Sequence, residues 1–466
     1  MIKFYNTILR KKVPFKALID KKVSLYTCGP TVYNFAHIGN FRAYIFEDLL
    51  RRTLEFCNYE VTHVMNLTDI DDKTINKANE ESIPLKEFTD RYIKSFNEDV
   101  VRLNILPAHH YPRATEFIEG MIKMIQVLKD KGYAYTTDDG SVFFKISNYK
   151  DYGKLANLQL EDLLLGERVE NDEYGKEEMR DFALWKSHKE QEGDIFWDSP
   201  WGKGRPGWHI ECSVMSTHYL GNHFDIHCGG VDNIFPHHEN EIAQSCCATD
   251  EKFVNYWLHN EHLLVDSQKM SKSLGNFYTI RDLIDKGFTP GSIRYTLLTT
   301  HYRQKLNFTL DKLSNSQKLI NKIKELKRRV ELIDNKNEKG DDFKLASKDM
   351  VNEFTNCLMN DLNISGALGE FFIWVNKVFK ELDCNNISLR GKAVIIKTLG
   401  LVDKILGVIE SNDNIKNDDR IEGLLVQRKE ARESKDWSLA DEIRQKIDSL
   451  GYVIEDTPEG PIVKRK

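Results

Sequence analysis

The sequence predicts a doubly wound α/β fold with a parallel sheet, interrupted by an insertion and followed by a helical C-terminal half. Three observations predict it. "KVSLYTC" (22–28) is an apolar, β-rich run, "RAYIFEDLLRRTLEFC" (42–57) places apolar residues at helical spacing, and "YEVTHVMNL" (59–67) returns to a strand pattern. Together they make a βαβ unit, in which ligands sit beyond the carboxyl ends of the strands. From about 85 to 205, helical and strand signals such as "TEFIEGMIKMIQVLKDKG" and "SVFFKIS" read as the insertion. "HFDIHCGG" (223–230) resumes a strand-and-glycine pattern, and "PHHENEIAQSCC" reads as a helix with Pro236 at its start. From about 311 the strand signals stop and long amphipathic helices take over. The polar stretches "DNKNEKGDD" (334–342) and "SNDNIKNDD" (411–419) carry no apolar anchors and read as linkers. A last segment, 421–466, holds two short helices and a strand-and-turn tail.

The 466 residues are too many for a single core and fit about three domains. Net charge is −6 with pI near 6.2, so any nucleic-acid contact must come from local patches. No apolar run reaches the ~18 residues of a membrane span, and the N-terminus lacks a signal-peptide pattern. Eight scattered cysteines without CxxC spacing argue for a reducing compartment, and the expected location is cytoplasmic.

Three features carry chemistry. In "AHIGNFR" (36–42), a glycine at a strand-to-helix turn lets backbone approach a ligand, the helix start presents N–H groups, and His37 adds a donor. Taken alone, this stretch reads as an ordinary loop sooner than as a site. "QKMSKSLGN" (268–276) puts Lys269 and Lys272 on a small loop that could follow the charge of a polyphosphate, or could be a solvated turn. His237 and Glu241, spaced i, i+4, can reach one metal ion from one helix face, or form a polar surface.

An N-terminal "HIG" turn followed some 230 residues later by "KMSKS" resembles the class I aminoacyl-tRNA synthetases. More narrowly, "LYTCGPTVYNFAHIGNFR", "NLTDIDDK", "DFALWK", "WDSPWGKGRPGWHIECS", "HCGGVDNIFPHHENEIAQS", "KMSKSLGNFYTI" and "REARESKDWSLADEIRQKIDSLG" are similar to the cysteinyl-tRNA synthetase family over nearly the whole chain. The resemblance implies a Rossmann-type catalytic domain over 1–310, with its insertion and the signature loop 269–273. It further implies a helical tRNA-binding bundle over 311–410 and a small anticodon-recognition α/β domain over 421–466.

The resemblance implies one Zn²⁺ held by Cys28, Cys212, His237 and Glu241. His238, Cys228, Cys246 and Cys247 are then packing or supporting groups. Zinc prefers a deprotonated sulfur to an alcohol oxygen, which would select cysteine over serine without editing. It also implies that Gly29, Thr68 and Trp208 line the amino-acid pocket and that Gly39, Gly230, Asp232 and Lys272 contact Mg²⁺-bound ATP. His37, Asn40, Lys269 and Lys272 would serve the phosphates during catalysis. "TDIDDK" reads both as a pocket edge and as a helix N-cap. Asn40 departs from the four-letter class signature, where a second histidine stands, yet its amide keeps a donor.

On the tRNA side, residues 311–330 hold seven Lys/Arg against Asp311 and Glu325, over a stripe of Leu319, Ile323, Leu326 and Val330. Segment 421–466 has nine Lys/Arg and ten Asp/Glu, so any anticodon reading there needs specific contacts. Arg432 and Trp437 are its candidates, with Trp437 read first as a packing residue. The expected partners are tRNA(Cys), L-cysteine and ATP, the expected state is a monomer, and no membrane is involved. Two rival readings remain: the same activation chemistry with a non-tRNA acceptor, and a non-catalytic RNA-binding paralogue. The second predicts erosion of the phosphate-handling residues, which are intact.

Overall fold

The computed structural model describes residues 1–158, 181–271, 274–334 and 340–409. Of the C-terminal segment it describes 424–425, 427–429, 431–432, 434, 436–449, 452–457 and 460–465. Met1–Ile409 form one compact unit and Glu410–Lys466 a second.

The first unit opens with an antiparallel hairpin, β1 (Lys3–Asn6) and β2 (Lys11–Pro14). Strand β3 (Lys22–Thr27), helix α1 (Ile38–Phe56) and parallel strand β4 (Glu60–Met65) form the βαβ unit read from the sequence. Helices α2 (Asp72–Glu80) and α3 (Leu85–Arg102) follow. α3 buries Ile93, Phe96 and Val100 in the same core as α1, so this helix at the start of the expected insertion belongs to the main body.

Helix α4 (Ile118–Asp130) leads into an antiparallel sheet of β5 (Ala134–Thr136), β6 (Val142–Phe144), β7 (Phe182–Ser187) and β8 (Gly204–Pro206). Its Val142, Phe144, Leu184 and Trp185 pack with Met121, Ile125 and Leu128 of α4 and with Ile210, Val214 and Met215 of α5 (Trp208–Leu220). The inserted layer thus rests on the helix that begins at Trp208.

Strand β9 (Phe224–Gly230), helix α6 (Glu239–Thr249) and strand β10 (Val254–Asn260) make a second βαβ unit. The central sheet runs β10-β9-β3-β4, parallel throughout. The chain leaves β3 toward β4 on one side and later returns to β9 on the other. Sheets of this kind bind ligands where the strand order reverses, beyond the carboxyl ends. Here that point lies between β3 and β9, where Cys28 N–H donates to Cys228 O at 3.3 Å.

Strands β11 (Leu263–Val265) and β12 (Gln268–Lys269) and helices α7 (Ile280–Asp285) and α8 (Pro290–Leu298) come next. Strand β13 (Leu306–Phe308) then pairs in parallel with β11. Four helices close the unit: α9 (Leu310–Glu331), α10 (Lys344–Met359), α11 (Ile364–Asp383) and α12 (Leu389–Leu406). On α9 the interior stripe is Leu313, Ile320, Ile323, Leu326 and Val330; Leu319, expected in that stripe, is half-buried at its margin. These helices share one continuous apolar core with the sheet. Of the expected linker 334–342, residues 335–339 lie outside the described residues, as does 411–419, while Asp341 is tied by its backbone to Asn386 and Ser388.

In the second unit α13 (Trp437–Ser449) buries Ile443 and Ile447 beside Leu424 and Leu425. An antiparallel hairpin, β14 (Tyr452–Thr457) and β15 (Gly460–Arg465), follows. Among the described residues no helix is long and apolar enough to cross a membrane.

Candidate active site

His37 stands at the N-cap of α1, where its Nδ1 accepts the backbone N–H groups of Gly39 (3.1 Å) and Asn40 (3.2 Å). Asn40 returns the contact, its Oδ1 accepting His37 N–H at 3.1 Å. The stretch is therefore a capping box built from His and Asn in place of the usual Ser and Glu. This changes the expectation that the helix start presents open N–H groups, because two are taken by the His37 ring. Two N–H donors on Nδ1 make it an acceptor, so the proton of the neutral ring sits on Nε2. Asn40 likewise spends its oxygen on the cap and keeps its NH₂ as a donor.

The two signature motifs meet. Ile38 N–H donates to Tyr278 O at 3.0 Å, the His37 and Phe277 rings pack edge to face at 5.2 Å, and a Cβ on Gly39 would come within 3.2 Å of Met270 Cε. Lys269 ends β12 and is exposed. Asn276 braces the loop, accepting Ser271 N–H at 2.7 Å and donating to Lys269 O at 3.2 Å. Lys272 and Ser273 lie outside the described residues.

Ligand atoms of Cys28, Cys212, His237 and Glu241 all lie within 4.8 Å of one another. Cys28 follows β3, Cys212 lies one turn into α5, and the other two sit at the start of α6 and the turn before it. Cys212, His237 and Glu241 are buried. The hydrogen bond between the two thiols lowers Cys212 to about 6 and holds Cys28 up. Burial opposes charge on His237, but Glu241 and Cys212 outweigh it and raise the ring to about 10. Burial likewise works against ionised Glu241, and His227 with His237 bring it down to about 2. Glu241 Oε1 is buried without a hydrogen-bond donor among the described residues, although His237 Nε2 lies 3.0 Å away. Two sulfurs, one imidazole and an unsatisfied carboxylate oxygen fit a tetrahedral zinc site.

A second set, Cys28, His227, His238 and Glu241, satisfies the same distance limit. It offers a single sulfur. His227 Nε2 is 2.9 Å from Glu241 Oε2, and His238 Nδ1 is 2.8 Å from His259 Nε2. His209 Nδ1 meets His237 Nδ1 at 2.9 Å. Sequence reasoning passed over His209, His227 and His259. The signal was density: eight of the fourteen histidines fall between 209 and 262, too many for chance packing residues.

Trp208 stacks on His237 at 4.2 Å and 23°. Asn66, also missed, ties the other two pocket residues together: its Oδ1 accepts Gly29 N–H at 2.9 Å and its NH₂ donates to Thr68 Oγ1 at 3.0 Å. A side chain on Gly29 would collide with Asn66 O. The helix cap read in "TDIDDK" is Asp71, which accepts Lys73 N–H at 2.8 Å, while Asp69 is engaged by Thr115. Gly230 ends β9, and the Asp232 carboxylate reaches the place where a Cβ on this residue would stand. In the second unit Trp437 is 59% exposed with the Arg432 guanidinium 6.0 Å from its ring, which corrects the reading of Trp437 as a packing residue.

Comparison with known proteins follows the same lines. Residues 14–318 match the family model "tRNA synthetases class I (C) catalytic domain", and 417–460 match "Cysteinyl-tRNA ligase anticodon binding domain". Among solved structures, a Mycobacterium tuberculosis methionyl-tRNA synthetase with methionyl-adenylate aligns at TM-score 0.60 and 15% identity, over 83% of this chain and 90% of that one. Agrobacterium radiobacter LeuRS, in a ternary complex, aligns at TM-score 0.59 and 12% identity, over 85% and 84%. Fold and matched model define the molecule as a class I aminoacyl-tRNA synthetase. Curated relatives narrow this: a cysteine–tRNA ligase of Brachyspira hyodysenteriae is 51% identical over 100% of this chain and 99% of its own, and one of Protochlamydia amoebophila 48% over 100% and 98%. The chain belongs to the cysteine–tRNA ligase family.

Proposed function

We propose that the chain charges tRNA(Cys) in two steps, using the residues gathered at the ends of β3 and β9. An oxygen of the cysteine carboxylate attacks the α-phosphorus of Mg²⁺-bound ATP and pyrophosphate leaves. A terminal ribose hydroxyl of the tRNA then attacks the activated carbonyl and AMP leaves. His37 Nε2–H and the Asn40 amide donate to phosphate oxygens, with Gly39 allowing close approach. Lys269 and Lys272 balance the charge that gathers on the departing pyrophosphate, while Gly230 and Asp232 meet the ribose. Gly29, Thr68 and Trp208 hold the amino acid. No side chain needs to act as a covalent nucleophile, so rate comes from positioning and electrostatics.

Cys28, Cys212, His237 and Glu241 would hold Zn²⁺, which when bound supplies a soft Lewis acid that takes a thiolate in preference to an alcohol. The convergence of these four ligand atoms within 4.8 Å, from positions as far apart as 28 and 241, carries the reading. We read 1–310 as the catalytic part, 311–410 and 421–466 as the tRNA-handling parts, and the protein as a cytoplasmic monomer. Eight cysteines without a disulfide support the reducing compartment. The match to an anticodon-binding model at 417–460 weighs against a non-tRNA acceptor.

The test is exchange of labelled pyrophosphate into ATP, expected with cysteine alone; exchange driven by methionine or serine instead would overturn the reading. Cys28→Ala should lose bound zinc and raise the KM for cysteine, and an unchanged zinc content would remove Cys28 from the ligand set.

A further inference from the structure

Cys28 is one end of a chain of polar contacts that runs away from the pocket. Its Sγ lies 3.3 Å from Nε2 of His238. The Nδ1 of that ring is 2.8 Å from Nε2 of His259, whose Nδ1 is 2.7 Å from Oγ1 of Thr7. Thr7 belongs to the turn between β1 and β2 and is half-buried, whereas His238 and His259 are buried. The rings are held in place. A Cβ on Gly229 would come within 2.7 Å of His238 Cε1, so only glycine leaves the ring where it is. Trp257 packs against His238 at 5.1 Å and lies nearly parallel to His259.

Such a chain can point two ways. In one, the Cys28 thiol donates to His238, His238 Nδ1–H to His259, and His259 Nδ1–H to the Thr7 oxygen. In the other, Thr7 O–H donates to His259, His259 Nε2–H to His238, and His238 Nε2–H to the sulfur. A sulfur ligating a cation is a thiolate and has no proton to give, so only the second direction remains. The Thr7 hydroxyl rotates to serve either.

We propose that Thr7, His259 and His238 are positioning residues that aim one N–H at the Cys28 thiolate and fix its orientation toward the metal. The proposal rests on Cys28 being a zinc ligand. It makes His238 a donor to that ligand and not a ligand itself, although its Nε2 lies close enough to be one.

The experiment measures the Zn²⁺ affinity of the full chain by chelator competition and the thiolate charge-transfer band of the Co²⁺-loaded protein. Partners of metal ligands typically contribute about 10–100-fold in affinity, so His238→Ala should weaken Zn²⁺ binding by that much. His238→Gln keeps an N–H within reach and should recover most of the loss. Thr7→Val removes the distant donor at little risk to folding; a loss of roughly threefold or more, with a displaced Co²⁺ band, is expected. Unchanged affinity and band in both Thr7→Val and His238→Ala overturn the proposal. A silent Thr7→Val with His238→Gln as weak as His238→Ala overturns it too, because His238 would then be a ligand. Cys28→Ala separates the two levels. If that variant keeps its zinc, Cys28 is not a ligand and the assignment the relay rests on fails; if it loses zinc while the relay variants are silent, only the relay falls.

Discussion

Where the proton of His37 sits follows from its two backbone donors, and with it the division of labour with Asn40. Asn40 uses the oxygen of its amide to close the helix, and the NH₂ is the end left to donate. Asn40→Asp keeps the capping oxygen and places a negative charge in the first turn of α1, which favours the helix by about 0.3–1 kcal/mol. The same charge repels a polyphosphate. The expected outcome is an unchanged or raised Tm together with a KM for ATP raised about tenfold or more, checked by thermal unfolding and pyrophosphate exchange. A lowered Tm would show that the capping box is not what Asn40 serves. At this scale the sequence exposed which residues carry chemistry but not how they are wired. His227 and Glu241 lie fourteen positions apart on a strand and a helix, and nothing in either segment announces the 2.9 Å contact between them.

Helix α1 shows the same limit one level up. Its apolar spacing is legible, yet Arg42, Glu47, Asp48, Arg51 and Arg52 are buried along with the apolar face. The partners of these arginines are largely backbone carbonyls, which leave no mark in a sequence. Arg42 donates to Leu297 O, Thr300 O and His301 O, Arg52 to Lys404 O, and Arg294 to Leu406 O. Asp48 neutralises Arg294 at 2.5 Å and Arg52 at 2.8 Å. Burial works against the Asp48 charge, but these two guanidinium groups outweigh it and hold the carboxyl below its usual range. A depressed carboxyl adds stability that is present above its unfolded pKa of about 3.9 and drains away as pH falls through the lower folded value. Asp48→Asn should remove that acid-limb dependence and destabilise by about 3–5 kcal/mol, since it strands two buried cations. Urea unfolding of both proteins at pH 7 and below pH 4 checks both statements. An acid limb as steep in Asp48→Asn as in the parent would assign it to other carboxylates.

Taken whole, the molecule is two bodies with different work. The doubly wound sheet, the inserted layer and the helical half were legible because each has its own periodicity. The shared core beneath them was not, since contact between distant segments has no period. In the second body, Trp437 and Arg432 stand exposed on a small unit whose charges nearly cancel. Trp437→Ala should leave stability within about 0.5 kcal/mol and cysteine-dependent pyrophosphate exchange unchanged. Its effect belongs to tRNA, weakening binding by about 1–3 kcal/mol if one base stacks there. Charging kinetics with tRNA(Cys) measure it, and equal KM values for tRNA in variant and parent would remove Trp437 from the interface.

The docking of α12 onto α1 bears on how this chain could have been assembled or could be taken apart. Arg52, Arg294 and Asn104 reach across to carbonyls at 404, 406 and 407, and Asp361 receives Tyr5, Tyr302 and Arg303 from the other side. A fragment ending at 310 would strand buried cations and open an apolar floor to water, whatever chemistry its residues retain. The compact unit that keeps these contacts together runs to Ile409. The helical part is therefore a foundation of the nucleotide-binding part: a cut between them breaks one core, not a linker.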